Sequence, residues 1–150
     1  MEQTKRYIPH TYDTEARRRR DALLVALYLE AYSMMRRKRV ANPRKAAVRW
    51  VLRHGQPRYH VGYMSALRTL GLMAKGLKPC REEAAAYEMW HELRQRVDDM
   101  QRQLAVSRAK AVEYVLEHCR ASRFFIKPHT ADLIIRAYLK KHPFTLKSKV

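Results

Sequence analysis

Apolar side chains recur along this chain three and four residues apart, with few glycines and prolines between them, and that spacing predicts helices almost throughout. Asp13 or Thr14 opens the first helix, whose apolar positions Leu24, Leu27, Tyr28, Ala31, Met34 and Met35 keep the helical period up to Arg39. Asn42 followed by Pro43 starts the second. The asparagine oxygen accepts a backbone N–H that would otherwise lack a partner, and proline has no N–H to leave unpaired. This helix runs from about Pro43 to His54, where Gly55 supplies a left-handed stop. Arg58 to Val61 reads as a short strand, and Tyr63 to Lys75 as a third helix ended by Gly76. Beyond it, Pro79 opens a long helix over Cys80 to Leu104 with the stripe Ala86, Met89, Trp90, Leu93, Val97, Met100 and Leu104. Ser107 caps a helix over Arg108 to Cys119, Arg123 to Ile126 forms a second short strand, and Pro128 to Lys141 the last helix.

The second half of this plan repeats the first. Arg44 to Lys75 aligns with Arg108 to Lys140 over its whole length with one inserted residue. The alignment pairs Ala47 with Ala111, Val48 with Val112, Val51 with Val115, His54 with His118, Arg58 with Arg123 and Ala66 with Ala131. Trp50 meets Tyr114, Tyr59 meets Phe124 and Val61 meets Ile126. Self-similarity at a fixed period decides architecture before single residues do. The expected fold is therefore mainly helical, all-α, a tandem repeat of helix, helix, short strand and helix. Pairing the two short strands as an antiparallel ribbon is the simplest way to satisfy their backbone groups. Residues 1–76 form a basic first repeat with an N-terminal arm, 77–143 the second repeat, and 144–150 a basic flexible tail.

Charge sharpens the picture. The chain carries 32 Lys and Arg against 14 Asp and Glu, a net +18. Self-repulsion on that scale opposes compaction unless a polyanion screens it, so a nucleic acid is the first partner to consider, with DNA placed ahead of RNA. The excess is uneven: residues 1–75 hold 17 basic and 5 acidic side chains, +12, and residues 76–150 hold 15 and 9, +6. Two clusters stand out, Arg17, Arg18, Arg19 and Arg20 at the start of the first helix and Arg36, Arg37, Lys38 and Arg39 at its end. On the second helix Lys45, Arg49 and Arg53 are four apart and share a face opposite Val48, Val51 and Leu52. The aligned positions in the second copy are Ala109, Glu113 and Glu117. The interior survived duplication while the surface charge reversed, so the cationic ridge is not a requirement of the fold. Glu113 and Glu117 are in turn a candidate contact for a protein partner.

Other chemistries find less support. Cys80 and Cys119 lie far apart and outside any CxxC spacing, which indicates neither a disulfide framework nor a zinc site and fits a reducing cytoplasm. No Gly-rich phosphate loop, HExxH or nucleophile elbow is present, so no catalytic residue, metal or cofactor is assigned and an enzyme is not expected. No apolar run reaches the roughly 18 to 20 residues of a membrane span, and membrane attachment is not expected. A loose helix-turn-helix likeness makes the helix after each short strand the element for a major groove, with Ser65, Arg68 and Thr69 in one copy and Lys127, His129 and Thr130 in the other. Tyr59, Phe124 and Phe125, flanked by Arg58 and Arg123, have the look of a stacking platform, but alternation and the apolar pairs Tyr59/Phe124 and Val61/Ile126 kept by the repeat favour a core reading.

Ser122 to Ala131, SRFFIKPHTA, resembles the R-[FY]-[FYW]-V-S-x-x-x-A segment of short uncharacterised proteins of gut bacteria and their mobile elements, through Arg123, Phe124, Phe125, Ile126 and Ala131. Lys127 stands where that group usually has serine. The resemblance implies a bacterial or phage setting and a small helical protein, and it carries over no functional residue. The sequence thus points to a non-enzymatic nucleic-acid-binding protein using the basic first repeat. The rival is a structural or assembly protein of a virion or mobile element, acting through the acidic face of the second repeat. The oligomeric state is not legible.

Overall fold

The computed structural model describes Ile8 and residues 13–142, and among these the chain is mainly helical. Six helices follow in order: α1 (Thr14–Arg37), α2 (Pro43–His54), α3 (Tyr63–Ala74), α4 (Ala86–Leu104), α5 (Arg108–His118) and α6 (Pro128–Lys141). They assemble into two compact units that do not follow the two halves of the sequence. One comprises the chain up to Arg17 together with Arg58–Ala121, and so holds α3, α4 and α5. The other comprises Arg18–Pro57 and the chain from Ser122, and so holds nearly all of α1, then α2 and α6. The tail 144–150 lies outside the described residues.

In the first unit α5 packs against both α3 and α4. Met89, Leu93 and Val97 of α4 are buried at four-residue spacing. Ala111, Val112 and Val115 of α5 and Ala66, Leu70 and Met73 of α3 are buried with them. Tyr59 and Val61, on the connection before α3, are buried too. The Tyr59 hydroxyl donates to Glu92 Oε2 at 2.6 Å, and the Arg96 guanidinium stands over the same ring. Burial and the Glu92 carboxylate both push the Tyr59 phenol far above its ordinary range. α3 ends in a left-handed Gly76 at φ 100°, with Leu77 N–H donating to Leu72 C=O and Gly76 N–H to Met73 C=O, the two bonds of a Schellman stop.

The second unit is built on one apolar cluster. Leu24, Val25, Tyr28, Leu29 and Ala31 of α1 meet Ala47, Val48, Val51 and Leu52 of α2, with Phe124 and Ile126 from the last connection and Ala131 and Ile135 from α6. α2 packs on α6. Asn42 caps α2 as the sequence predicts, its Oδ1 accepting from Lys45 N–H at 3.4 Å, while its own backbone is left-handed at φ 49°. Asparagine is among the few side chains that tolerate that backbone.

Three expectations are corrected. Arg58 to Val61 and Arg123 to Ile126 are irregular connections, and no strand is present among the described residues, so the ribbon does not form. Their apolar side chains, Tyr59 and Val61 in one and Phe124, Phe125 and Ile126 in the other, act as plugs into helical cores, which removes the need for a ladder. Gly55 is extended at φ −74°, not left-handed; glycine is required there because a Cβ would stand 2.5 Å from Cε2 of the buried Phe124 ring. Finally α4 begins at Ala86, six residues later than expected, because Pro79 is buried and the chain turns at Arg81 to Ala84 before the helix starts.

Candidate nucleic-acid interface

The division into units sorts charge far more sharply than the division into halves. Among the described residues the unit of α1, α2 and α6 carries 16 Lys and Arg against 3 Asp and Glu, a net +13. The other carries 12 against 10, a net +2. Of the twelve cations singled out by sequence, Arg18, Arg19, Arg20, Arg36, Arg37, Lys38, Arg39, Lys45, Arg49 and Arg53 fall in the basic unit, and Arg17 and Arg68 in the near-neutral one.

These ten do not form a single patch. α1 is 24 residues long, and at about 1.5 Å per residue its two arginine clusters lie roughly 25 Å apart along the axis. Arg20 is paired with the neighbouring Asp21 at 2.9 Å. Arg36 lies over the Tyr32 ring at 5.7 Å, and Arg36 and Arg37 occupy the last turn of α1, where cations favour the helix dipole. Arg18, Arg19, Arg37, Lys38, Arg39, Lys45, Arg49 and Arg53 are exposed and meet no carboxylate at ion-pair distance among the described residues. The ridge on α2 is as expected: Lys45, Arg49 and Arg53 point outward while Ala47, Val48, Val51 and Leu52 are buried.

Two clefts border this ridge. On one side Trp50 and Arg37 join Leu27, Glu30 and Met34 of α1 around a groove of about 510 Å³. Trp50 is 38% exposed and stacks on His54, whose ring Nδ1 meets the Trp50 carbonyl at 2.9 Å. On the other side Arg44, Lys45, Val48 and Arg49 face Pro128, His129, Asp132 and Arg136 of α6 across about 440 Å³. α2 and α6 both begin at this second cleft, so their positive ends add to its cationic side chains. Arg44 stands there 3.9 Å from Asp132, with the Tyr28 hydroxyl in its field. Burial raises the Tyr28 phenol above its ordinary value, and the nearby Arg44 guanidinium opposes that rise.

Comparison with protein-family models, with curated proteins and with solved structures finds no match.

The groove-reading residues of α3 are corrected. Thr69 is buried, and Ser65 donates its hydroxyl to Asp13 Oδ1 at 2.9 Å, which leaves only Arg68 exposed of the three. Lys127, His129 and Thr130 at the head of α6 are all exposed. Tyr59, Phe124 and Phe125 are core, as expected, with Arg123 over the Phe125 ring at 4.3 Å. Sequence reasoning missed Arg44, His129, Asp132 and Arg136 as members of one site, because nothing in the spacing of α2 says which later helix lies beside it. The acidic ridge is exposed but partly compensated within α5, Glu113 by Lys110 at 3.8 Å, while the His118 ring lies 3.8 Å from Glu117. Among the described residues no helix is long and apolar enough to cross a membrane, and no three His, Cys, Asp or Glu side chains gather as a metal-binding set.

Proposed function

We propose that this chain is a non-enzymatic nucleic-acid-binding protein of a bacterium or phage, acting in the cytoplasm and holding backbone phosphates on the unit of α1, α2 and α6. The observation that carries the reading is the charge of that unit, +13 beside +2 for its neighbour in the same chain. Solubility alone has no use for such a division, whereas a polyanion does. Arginine at eight of the ten positions suits paired hydrogen bonding to phosphate oxygens. A protein held this way binds with little sequence preference and with DNA favoured, as an architectural or regulatory component.

The reading includes a duplication. α2 and α5 differ by one residue in length, bury the same alanine and two valines, and open on a side-chain cap, Asn42 or Ser107. Each compact unit then consists of a long helix, the short helix that follows it, and a third helix taken from the opposite copy: α1 and α2 with α6, α4 and α5 with α3. This is a reciprocal exchange of last helices within one chain. The rival reading, an assembly protein docking through Glu113 and Glu117, draws less support because Lys110 and His118 already stand beside those carboxylates.

Fluorescence anisotropy with a labelled 20-base-pair duplex and its RNA counterpart, over about 50 to 200 mM salt, tests the proposal. Binding is expected to weaken linearly on a log–log plot, by about 0.9 per neutralised phosphate. Lys45→Glu combined with Arg49→Glu is expected to abolish retention at low salt. Unchanged retention in that variant, or none in the unaltered protein, overturns it.

A further inference from the structure

We infer that the cleft between α2 and α6 is a seat for one backbone phosphate, gripped from both sides by Lys45 and Arg49 of α2 and by His129 and Arg136 of α6. This rests on the nucleic-acid reading and deepens it, since it turns a diffuse field into a built site with a wall from the other end of the chain. Four Lys or Arg side chains line the cleft against a single carboxylate, Asp132. That carboxylate accepts from Arg136 Nε at 2.9 Å, which engages one of the five N–H donors of the guanidinium and fixes its direction, while the side chain stays 62% exposed. Arg44 lies 3.9 Å from the same carboxylate and lines the cleft beside it. Lys45, Arg49 and His129 complete the rim, all exposed.

The aligned positions, all in the other unit, show that packing does not demand this chemistry. Lys45 and Arg49 correspond to Ala109 and Glu113 of the second copy, and His129, Asp132 and Arg136 to Met64, Leu67 and Gly71 of the first, while Arg44 and Val48 keep their counterparts Arg108 and Val112. The scaffold residues are kept and every rim residue is replaced. At the counterpart of Arg136 the side chain is absent altogether, and Arg108 Nη1 stands 3.5 Å from where a Cβ on Gly71 would lie. The basic unit has a cationic cleft where the aligned positions of the other unit carry no such excess of cations.

The test compares Arg136→Gln with Lys141→Gln, an equal loss of charge at the last residue of α6, by anisotropy on the same duplex. Phosphate held in the cleft predicts about ten-fold weaker binding for Arg136→Gln with a salt slope lower by about 1, and less than about two-fold weakening for Lys141→Gln. Arg49→Gln and Arg136→Gln together are expected to weaken binding by less than the product of the single effects, since both grip one group. His129→Gln serves as a second probe of the α6 wall, and helicity by circular dichroism checks that each variant folds. If Arg136→Gln and Lys141→Gln behave alike while the unaltered protein binds DNA, the cleft is overturned and the broader reading stands. If the unaltered protein retains neither DNA nor RNA at low salt, both fall. Competition by inorganic phosphate or a mononucleotide below millimolar concentration overturns the backbone assignment in favour of a small ligand.

Discussion

Gly55→Ala places one methyl group against the best-buried aromatic ring of the basic unit. An ideal Cβ there stands 2.5 Å from Phe124 Cε2, 2.9 Å from Cδ2 and 2.9 Å from the Val51 carbonyl oxygen. Ordinary contact begins near 3.4 Å, so the ring or the backbone must yield by almost 1 Å. Phe124 is 0% exposed and sits within the cluster formed by α1, α2 and α6, so it has no open space to move into. Overpacking of this kind costs about 1–3 kcal/mol. Against it stands the reduced freedom of the unfolded chain, about 0.4–1 kcal/mol in favour of alanine where the backbone is compatible, as the extended Gly55 is. The net expectation is a loss of about 1–2 kcal/mol, read by urea unfolding and as a melting point lower by roughly 3–8 °C. Cys119, aligned with Gly55 and similarly extended at φ −105°, already carries a Cβ, so Cys119→Ala is the matched control with a small effect. Adding Phe124→Leu to Gly55→Ala removes the clashing edge, and the double variant is expected to lose less than the sum of its parts. A Gly55→Ala protein as stable as the original refutes the packing argument.

Replacing Asn42 by Ala removes both the cap to Lys45 N–H and the residue type that tolerates φ 49°, for a loss of about 1–2 kcal/mol by denaturation, whereas Asn42→Gly keeps the backbone and loses less. Tyr59→Phe deletes the 2.6 Å bond to Glu92 and is expected to destabilise by about 1.5–2 kcal/mol, with packing intact because the aligned Phe124 fills its own core without a hydroxyl. Above pH 10.0, the ordinary phenol value, unfolded tyrosines ionise while the raised Tyr59 and Tyr28 stay protonated in the native state. The native state then binds more protons, and stability falls with pH by about 1.4 kcal/mol per unit per group, so Tyr59→Phe should flatten the fall measured by urea unfolding. Neutralising Lys45, Arg49 and Arg53 to Gln should lower the salt slope by about 2.7, which amounts to roughly 40-fold between 50 and 200 mM salt; an unchanged slope counts against the ridge.

Much of the helical plan is legible in the residues. α2, α5 and α6 open where Asn42-Pro43, Ser107 and Lys127-Pro128 place them, because caps and first-turn prolines act within one turn of chain. The short strands are not legible as what they are. Burial of Tyr59 and Val61 has the period of a strand and that of Phe124, Phe125 and Ile126 is continuous, yet both come from connections pinned by their side chains. The outward ridge on α2 is legible from its four-residue spacing, but the wall opposite is not. α3 and α6 both carry the small buried alanine, Ala66 or Ala131, that a neighbouring helix needs, so one-dimensional pattern does not tell α2 which of them to take.

The assembly of the basic unit from both ends of the described chain has a consequence for synthesis. The chain emerges from its N-terminus, and α1 and α2 complete their core only when Phe124, Ile126, Ala131 and Ile135 arrive some seventy residues later. Until then Val48, Val51 and Leu52 have no α6 to lie against, and the nascent chain carries an uncovered apolar face beside a dense array of arginines. The near-neutral unit ends at Ala121, so all its helices are translated while the basic one still lacks α6. A fragment cut at Lys75 inherits α1 and α2 without their third helix, and dissection of this protein into halves by sequence divides both units at once.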